Sequence, residues 1–221
     1  MPMNDYYHTL LNEKIGGFDL FARYLASDKL PPGYELVESA YNTSASVLVN
    51  TAIKPNVRRV ELEVKVKAVS GSWYVFQART GAGDPIYGIS GSGTGNTITG
   101  VFPGNKTLTS AITRTNGHVY LVKYVADNGN GTLTVTDETA GTTDVKTTTY
   151  TYSSYNAALC LFGNTSGDRI AKNTAIYYAT RRKSGELVMN YAPCVHENTV
   201  GFWDYVTKSF ITPTSGTLAA G

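Results

Sequence analysis

A β-sandwich that cuts a glycosidic bond needs two carboxylates on one strand face, commonly as E-x-D-x-x-E, held about 5.5 Å apart. The sequence contains no such segment. Glu61 and Glu63 share a strand parity, but they alternate with Val60, Leu62 and Val64 and run on into Lys65 and Lys67. That is the pattern of a solvated strand face. Asp137 and Glu138 fall at a turn. His8, His118 and His196 accompany no G-x-S-x-G elbow and no Cys/His signature, so each reads as a surface or packing residue. GISGSGTG at Gly88–Gly95 has the glycine content of a phosphate cradle, but no Lys-Ser/Thr follows and no helix begins there. It reads as a loop. Cys160 and Cys194 stand outside any metal-ligand spacing and read as two buried free thiols. A disulfide between them would require Cα atoms within about 7 Å, which the sequence leaves open. Asp84 and Asp127 lie in expected loops without the dense oxygen-ligand run of a calcium site, so neither metal nor cofactor is expected. No catalytic residue emerges, and no enzyme is expected.

Binding chemistry has better candidates. Trp73, Tyr74, Arg79, Asp84 and Tyr87 cluster in sequence around a Gly/Ser-rich stretch, Gly81 to Gly95. Aromatic rings with a few polar groups are what an amphipathic ligand such as a sugar requires. Trp73 alternates with Val75 and Tyr74 with Phe76, so core packing competes with ligand contact at both. Arg181-Arg182-Lys183 stands before the turn signal Ser184-Gly185 and reads as a solvated turn, with an acidic partner surface as the alternative. Thr139 to Thr151 has few charges and strong β-propensity, and is expected as an exposed strand pair or, alternatively, a subunit contact.

The elements that position these residues are legible in period and composition. Among 221 residues only 16% are charged, against about 25% in an ordinary soluble domain. The excess lies in 29 Thr, 22 Gly and 16 Tyr, the residues of strands and turns. No run approaches the roughly 18 apolar residues of a membrane span, and a net charge of +2 gives no basic excess for nucleic acid. In VRRVELEVKVKA the apolar period is 2, marking a strand with one buried face. Similar runs fall at Val47–Asn50, Trp73–Ala78, Thr97–Phe102, His118–Ala126 and Thr132–Thr136. Others follow at Val145–Tyr152, Ala157–Phe162, Ala175–Arg181, Glu186–Tyr191 and Val200–Tyr205. Asn116-Gly117, Asp127 to Gly131 and Ser184-Gly185 are hairpin signals. So many short strands imply an all-β, two-sheet antiparallel jelly-roll sandwich.

The first 32 residues differ. Tyr7, Leu11 and Ile15 recur at helical spacing before Gly16, and Leu20, Phe21, Tyr24 and Leu25 form a second apolar stripe ended by Pro31-Pro32. Two helices this short are marginal alone, so this arm is expected to dock on another surface. MPMNDYYHTLLNEKIGG lacks the basic and apolar regions of a secretory signal, so export by that route is not expected. The organisation expected is a helical arm over residues 1–32 and a jelly-roll domain over 33–221.

GYELVES at Gly33–Ser39, VNTAIKPN at Val49–Asn56, RVELEV at Arg59–Val64 and QARTG at Gln77–Gly81 resemble the first half of a laminin-G-like, concanavalin A-like jelly-roll family. That family is frequent in phage and gut-bacterial proteins. The resemblance continues through Glu186-Leu187-Val188, Tyr191-Ala192-Pro193-Cys194, Val200-Gly201-Phe202-Trp203-Asp204, Lys208-Ser209-Phe210 and Gly216-Thr217-Leu218 to Gly221. It implies that Trp203, where the family has Tyr, plugs the sandwich end, that Asp204 caps a turn, and that the last strand returns near the first. Thr51-Ala52 departs from the family's Thr-Gly, and Met189-Asn190 from its Arg-Asp. The resemblance implies a carbohydrate-binding or adhesive module, although no glycan-contact motif transfers residue by residue.

Joined to the arm, this leads to the expectation of a phage virion structural protein: a head fibre, capsid decoration or tail-associated adhesin, assembled in the host cytoplasm. Tyr7, Leu11, Ile15, Phe18, Phe21 and Leu25 would dock it to capsid or tail proteins. A homo-oligomer, by analogy a trimer, would present the jelly roll to a host surface glycan. The alternative is a bacterial surface or secreted lectin-like protein.

Overall fold

A computed structural model describes residues 29–42, 47–54, 58–68, 73–79, 87–91, 96–152, 157–164, 171 and 173–221. The chain divides into two compact units, Met1–Pro32 and Gly33–Gly221. The expected docking residues Tyr7, Leu11, Ile15, Phe18, Phe21 and Leu25, together with His8 and Asp84, lie outside the described residues.

The second unit is built of β1 (Tyr34–Leu36), β2 (Ala40–Asn42), β3 (Val49–Asn50), β4 (Arg59–Ala68), β5 (Trp73–Ala78), β6 (Tyr87–Gly91), β7 (Thr99–Phe102) and β8 (Lys106–Thr109). It continues with β9 (Val119–Asp127), β10 (Asn130–Asp137), β11 (Thr142–Thr149), β12 (Cys160–Leu161), β13 (Thr174–Lys183), β14 (Glu186–His196), β15 (Thr199–Asp204), β16 (Ser209–Ile211) and β17 (Ala219–Ala220). A single turn of 3-10 helix, Pro103–Asn105, joins β7 to β8. The large sheet runs β11-β10-β9-β4-β13-β14-β15-β16, with β1 on β14 and the terminal β17 joined to β13 through β2. The small sheet runs β3-β12-β5-β6-β7-β8. Neighbours pair antiparallel throughout, and the two sheets form the expected jelly-roll sandwich.

Alternation decides which face each residue takes. In β4, Val60, Leu62, Val64 and Val66 are 0–1% exposed and turn inward, while Glu61, Glu63, Lys65 and Lys67 turn outward. On the small sheet, Val49, Leu161, Phe76, Ile89 and Gly100 share one register row. Val49, Leu161, Phe76 and Ile89 are core side chains, so this row faces the large sheet. The Phe102 ring stacks on Tyr124 at 4.4 Å, and the Tyr124 hydroxyl donates to the Val101 carbonyl at 3.1 Å. That bond satisfies a phenol whose ionisation burial strongly disfavours. Gly131 is required beneath this stack, because a Cβ there would stand 2.6 Å from the Phe102 ring.

Turn chemistry closes the hairpins. Asn128 and Gly129 (φ 46° and 91°) form the two-residue loop between β9 and β10, and Ser184 and Gly185 (φ 51° and 88°) the one between β13 and β14. Both positive-φ pairs match the strand twist. Asn116-Gly117, by contrast, lies in the connection from β8 to β9, which crosses between sheets and is no hairpin. Gly88–Gly91 belongs to β6 rather than to a loop, because Gly88 and Ser90 complete ladders to both β5 and β7. Asp127 ends β9 and accepts from Arg59 at 3.0 Å, so it is not a loop residue.

The strand expected at Glu186–Tyr191 continues through Pro193 to His196. Pro193 accepts at its carbonyl from Val37 N–H at 3.1 Å, on the side of β1, whose ladder ends at the Leu36–Cys194 pair. The missing N–H withholds the reciprocal bond to Val37, and the ladder ends there. Trp203 does not plug the end of the sandwich. Its neighbour Phe202 takes the core position, and Trp203 packs on the outer face beside Tyr34, centroids 5.1 Å apart. Asp204 does cap a turn: Oδ1 accepts from Asn190 and Val206 N–H at 3.0 Å each, and Oδ2 from the Thr207 hydroxyl at 2.8 Å.

Candidate functional site

The outward row of the small sheet runs Asn50, Cys160, Gln77, Gly88, Val101, Thr107, and a neighbouring row runs Tyr74, Ser90, Thr99, Thr109. β5 sets the arrangement. A register shift between Tyr74 and Phe76 leaves Val75 as an extra residue, after which Gln77 continues on the outer side. Tyr74 and Gln77 thus share one face, and Arg79 follows the last residue of the strand.

Gln77 is 3% exposed, and its Oε1 has no hydrogen-bond donor. An unpaired buried amide oxygen costs about 1–3 kcal/mol. Arg79 is buried and Tyr74 half-buried, and Ser90 and Thr99 add hydroxyls one strand and two strands away. The face offers a half-buried ring, two hydroxyls and an unpaired amide oxygen that is covered from solvent. Those are the requirements of a polyhydroxylated ligand. Cys160, next to Gln77, is pushed up to about 12 by burial and stays a thiol.

The sequence candidates divide. Tyr74 lies on this face, and Arg79 is buried just past the other end of β5. Tyr87 pairs with Ala78, is 0% exposed and turns into the core, where burial raises its phenol well above its ordinary value. Trp73 occupies β5 opposite Gly91, with its side chain outside the described residues, as is Asp84. Gln77, Asn50, Ser90 and Thr99 were missed. A polar residue inside WYVFQA was the available signal for Gln77; the others require the register.

Other titratable groups are engaged in structure. Glu61 pairs with Arg59 at 2.8 Å, and Glu63 with Lys123 at 3.0 Å while accepting from the Tyr178 hydroxyl at 2.9 Å. Asp137 Oδ2 holds His118 Nδ1 at 2.8 Å, and its Oδ1 caps Thr139 and Ala140 N–H. His196 stacks on Tyr34 at 4.0 Å and bonds the Gly33 carbonyl at 3.1 Å. Cys194, raised to about 12 chiefly by burial, lies on the large sheet and Cys160 on the small one, and both thiols are free.

No protein-family model matches the sequence, and no curated protein sequence matches it significantly. Solved structures do match in fold. A Bacteroides ovatus protein provisionally named as carbohydrate-binding aligns with a TM-score of 0.56 and 11% identity over 84% of this chain and 60% of its own. The LG1-3 region of the laminin alpha2 chain aligns with 0.54 and 10% over 88% of this chain and 35% of its own. The enzymatically active domain of tailspike protein 2 from bacteriophage CBA120 aligns with 0.50 and 9% over 73% and 30%. The chain therefore spans between 30% and 60% of the length of these proteins. Register, layer order and these likenesses together identify the fold of residues 33–221 as a laminin-G-like, concanavalin A-like jelly roll.

Proposed function

We propose that this protein is a phage virion component, a head fibre, capsid decoration or tail-associated adhesin, whose jelly roll binds carbohydrate through the outer face of the small sheet. The observation that carries the binding reading is the outward pair Tyr74 and Gln77 on β5, with Gln77 Oε1 unpartnered. Fold likeness to a phage tailspike domain and to a protein provisionally named as carbohydrate-binding supports it. Binding without turnover is the reading, since Glu61 and Glu63 are spent on ion pairs. The arm over residues 1–32 anchors a homo-oligomer, favoured as a trimer, to capsid or tail proteins.

Cross-linking of purified particles followed by mass spectrometry tests the anchoring. Links from Lys14 and Lys29 to a capsid or tail protein are expected, and Leu11→Asp with Phe21→Asp should release the protein from particles. Full incorporation of that double variant would refute docking by the arm. The likeness to the Bacteroides ovatus protein favours a bacterial surface lectin as the second reading. Recovery of the protein on cells and never on particles would establish it.

A further inference from the structure

Asparagine is followed by glycine at three places in the chain, Asn116-Gly117, Asn128-Gly129 and Asn130-Gly131. The pair carries a reaction of its own. A glycine amide nitrogen, with no Cβ beside it, is open to attack the side-chain carbonyl carbon of the asparagine before it. The fold decides which of the three pairs is free to react.

Two of them are held. Asn130 and Gly131 open β10, a strand paired on both sides, with Gly131 opposite Ala126 of β9 and Thr148 of β11. Gly131 is also closed in by the Phe102 ring. At the hairpin before it, Asn128 N–H donates to the Arg58 carbonyl at 2.9 Å and Asn128 Nδ2 to Asp127 Oδ1 at 2.9 Å. The Gly129 carbonyl accepts from Tyr150 N–H at 2.7 Å. Neither pair can rearrange without breaking contacts of β9, β10 or β11.

Asn116 and Gly117 differ. They are the two central residues of a turn closed by His118 N–H, which donates to the Thr115 carbonyl at 3.2 Å, with Gly117 at φ 85°. Both are exposed, and nothing stands within 4 Å of the place a Gly117 Cβ would take. Among the described residues, neither the Asn116 amide nor Gly117 N–H has a hydrogen-bond partner. The flanks are firm: Thr115 N–H donates to the Tyr120 hydroxyl at 2.6 Å, and His118 Nδ1 meets Asp137 Oδ2 at 2.8 Å. This turn can therefore rearrange locally while both sheets stay intact.

We propose that Asn116 is a self-modifying site, converted to aspartate and isoaspartate with water as the only co-reactant. Gly117 N gives its proton to hydroxide and attacks Asn116 Cγ. The Cγ–Nδ2 bond breaks, the nitrogen takes a proton from water and leaves as ammonia, and a five-membered cyclic imide closes. One water then opens the ring. Opening at Cγ gives aspartate; opening at the backbone carbonyl gives isoaspartate, in which the chain runs through the side chain and gains a methylene. Either product lowers the net charge of +2 by one and sets a carboxylate two residues from His118. The isoaspartyl product also lengthens the turn and slackens the His118–Asp137 contact. The reaction uses no residue of the small-sheet face and stands whether or not that face binds carbohydrate.

The full chain is incubated at pH 8, native and in denaturant, and its peptides are followed by mass spectrometry, with isoaspartyl and aspartyl forms separated by chromatography. In denaturant the three pairs are expected to convert at rates within about threefold of one another, whereas in the native protein Asn116 converts at least tenfold faster than Asn128 or Asn130. Asn116→Gln should remove the product at this site with the Tm unchanged. The isoaspartyl fraction of the wild type should melt about 2–4 °C lower than the unmodified protein. Equal rates at the three pairs in the native protein, faster conversion at Asn128 or Asn130, or no product at Asn116 would each overturn the proposal. An isoaspartyl fraction with an unaltered Tm would overturn the slackening of the His118–Asp137 contact.

Discussion

Ala52 shows how a single departure from the family pattern has a structural cost. Its φ is +58°, a left-handed conformation that glycine adopts freely and alanine does not. The turn is nevertheless fixed: Asn50 Oδ1 accepts from Ala52 N–H at 2.8 Å, Thr51 Oγ1 donates to the Leu159 carbonyl at 2.8 Å, and Leu159 N–H reaches Ile53 at 2.8 Å. Ala52→Gly is expected to stabilise the protein by about 1 kcal/mol, measured as a higher denaturation midpoint; a lower midpoint would mean the left-handed turn is not strained. The two thiols make a second test. With both raised to about 12, Cys160 and Cys194 should react with an alkylating reagent at pH 8 only after denaturant is added. Fast labelling of the native protein would contradict their burial. Such properties were partly legible in the sequence. Buried thiols and the Thr-Ala departure could be read directly, whereas the inward turn of Arg181 could not, because three consecutive cations before Ser-Gly carry no sign of which face each takes.

Among the strands, β4 and the hairpin β9–β10 were legible because period and turn residues agree. β14 runs past the expected end at Tyr191, because Pro193 faces the end of β1, where its missing N–H withholds a single bond. The pair Glu197-Asn198 (φ 46° and 63°) turns β14 into β15 without a glycine and left no signal. The candidate site was half legible for a related reason: the extra residue at Val75 breaks parity within β5, so alternation alone could not place Tyr74 and Gln77 on one face.

The edge strand β11 carries its own protection. Asp144 and Lys146 share the inward side with Leu133 and Val135 of β10, and inward charges discourage edge-to-edge pairing. Asp144→Val with Lys146→Val is expected to produce dimers or aggregates by size-exclusion chromatography; an unchanged elution profile would show that the edge needs no such guard. Asp144 also pins the β8–β9 connection, accepting from Ala111 N–H at 2.7 Å and from the Ser110 hydroxyl at 2.9 Å. Chiefly the Ala111 bond holds its carboxyl below the usual range. A depressed folded value adds stability above the unfolded value near 4 and loses it as pH falls through the folded value. Asp144→Asn should therefore cost less than about 1 kcal/mol at pH 7, given its partial exposure, and progressively less as pH falls through the folded value. A difference that persisted in acid would point to packing instead of charge.

Residues 33–221 fold as a laminin-G-like, concanavalin A-like jelly roll, and the outer face of its small sheet, with half-buried Tyr74 and the hydroxyls of Ser90 and Thr99, is the surface proposed to take a carbohydrate. The most direct measurement is a glycan array probed with the full chain alongside its Tyr74→Ala and Gln77→Ala variants. Saccharides bound by the wild type and lost at least tenfold by both variants, at unchanged Tm, are predicted. Uniformly absent binding, or binding that both substitutions leave intact, would contradict the assignment of the small-sheet face as a carbohydrate site.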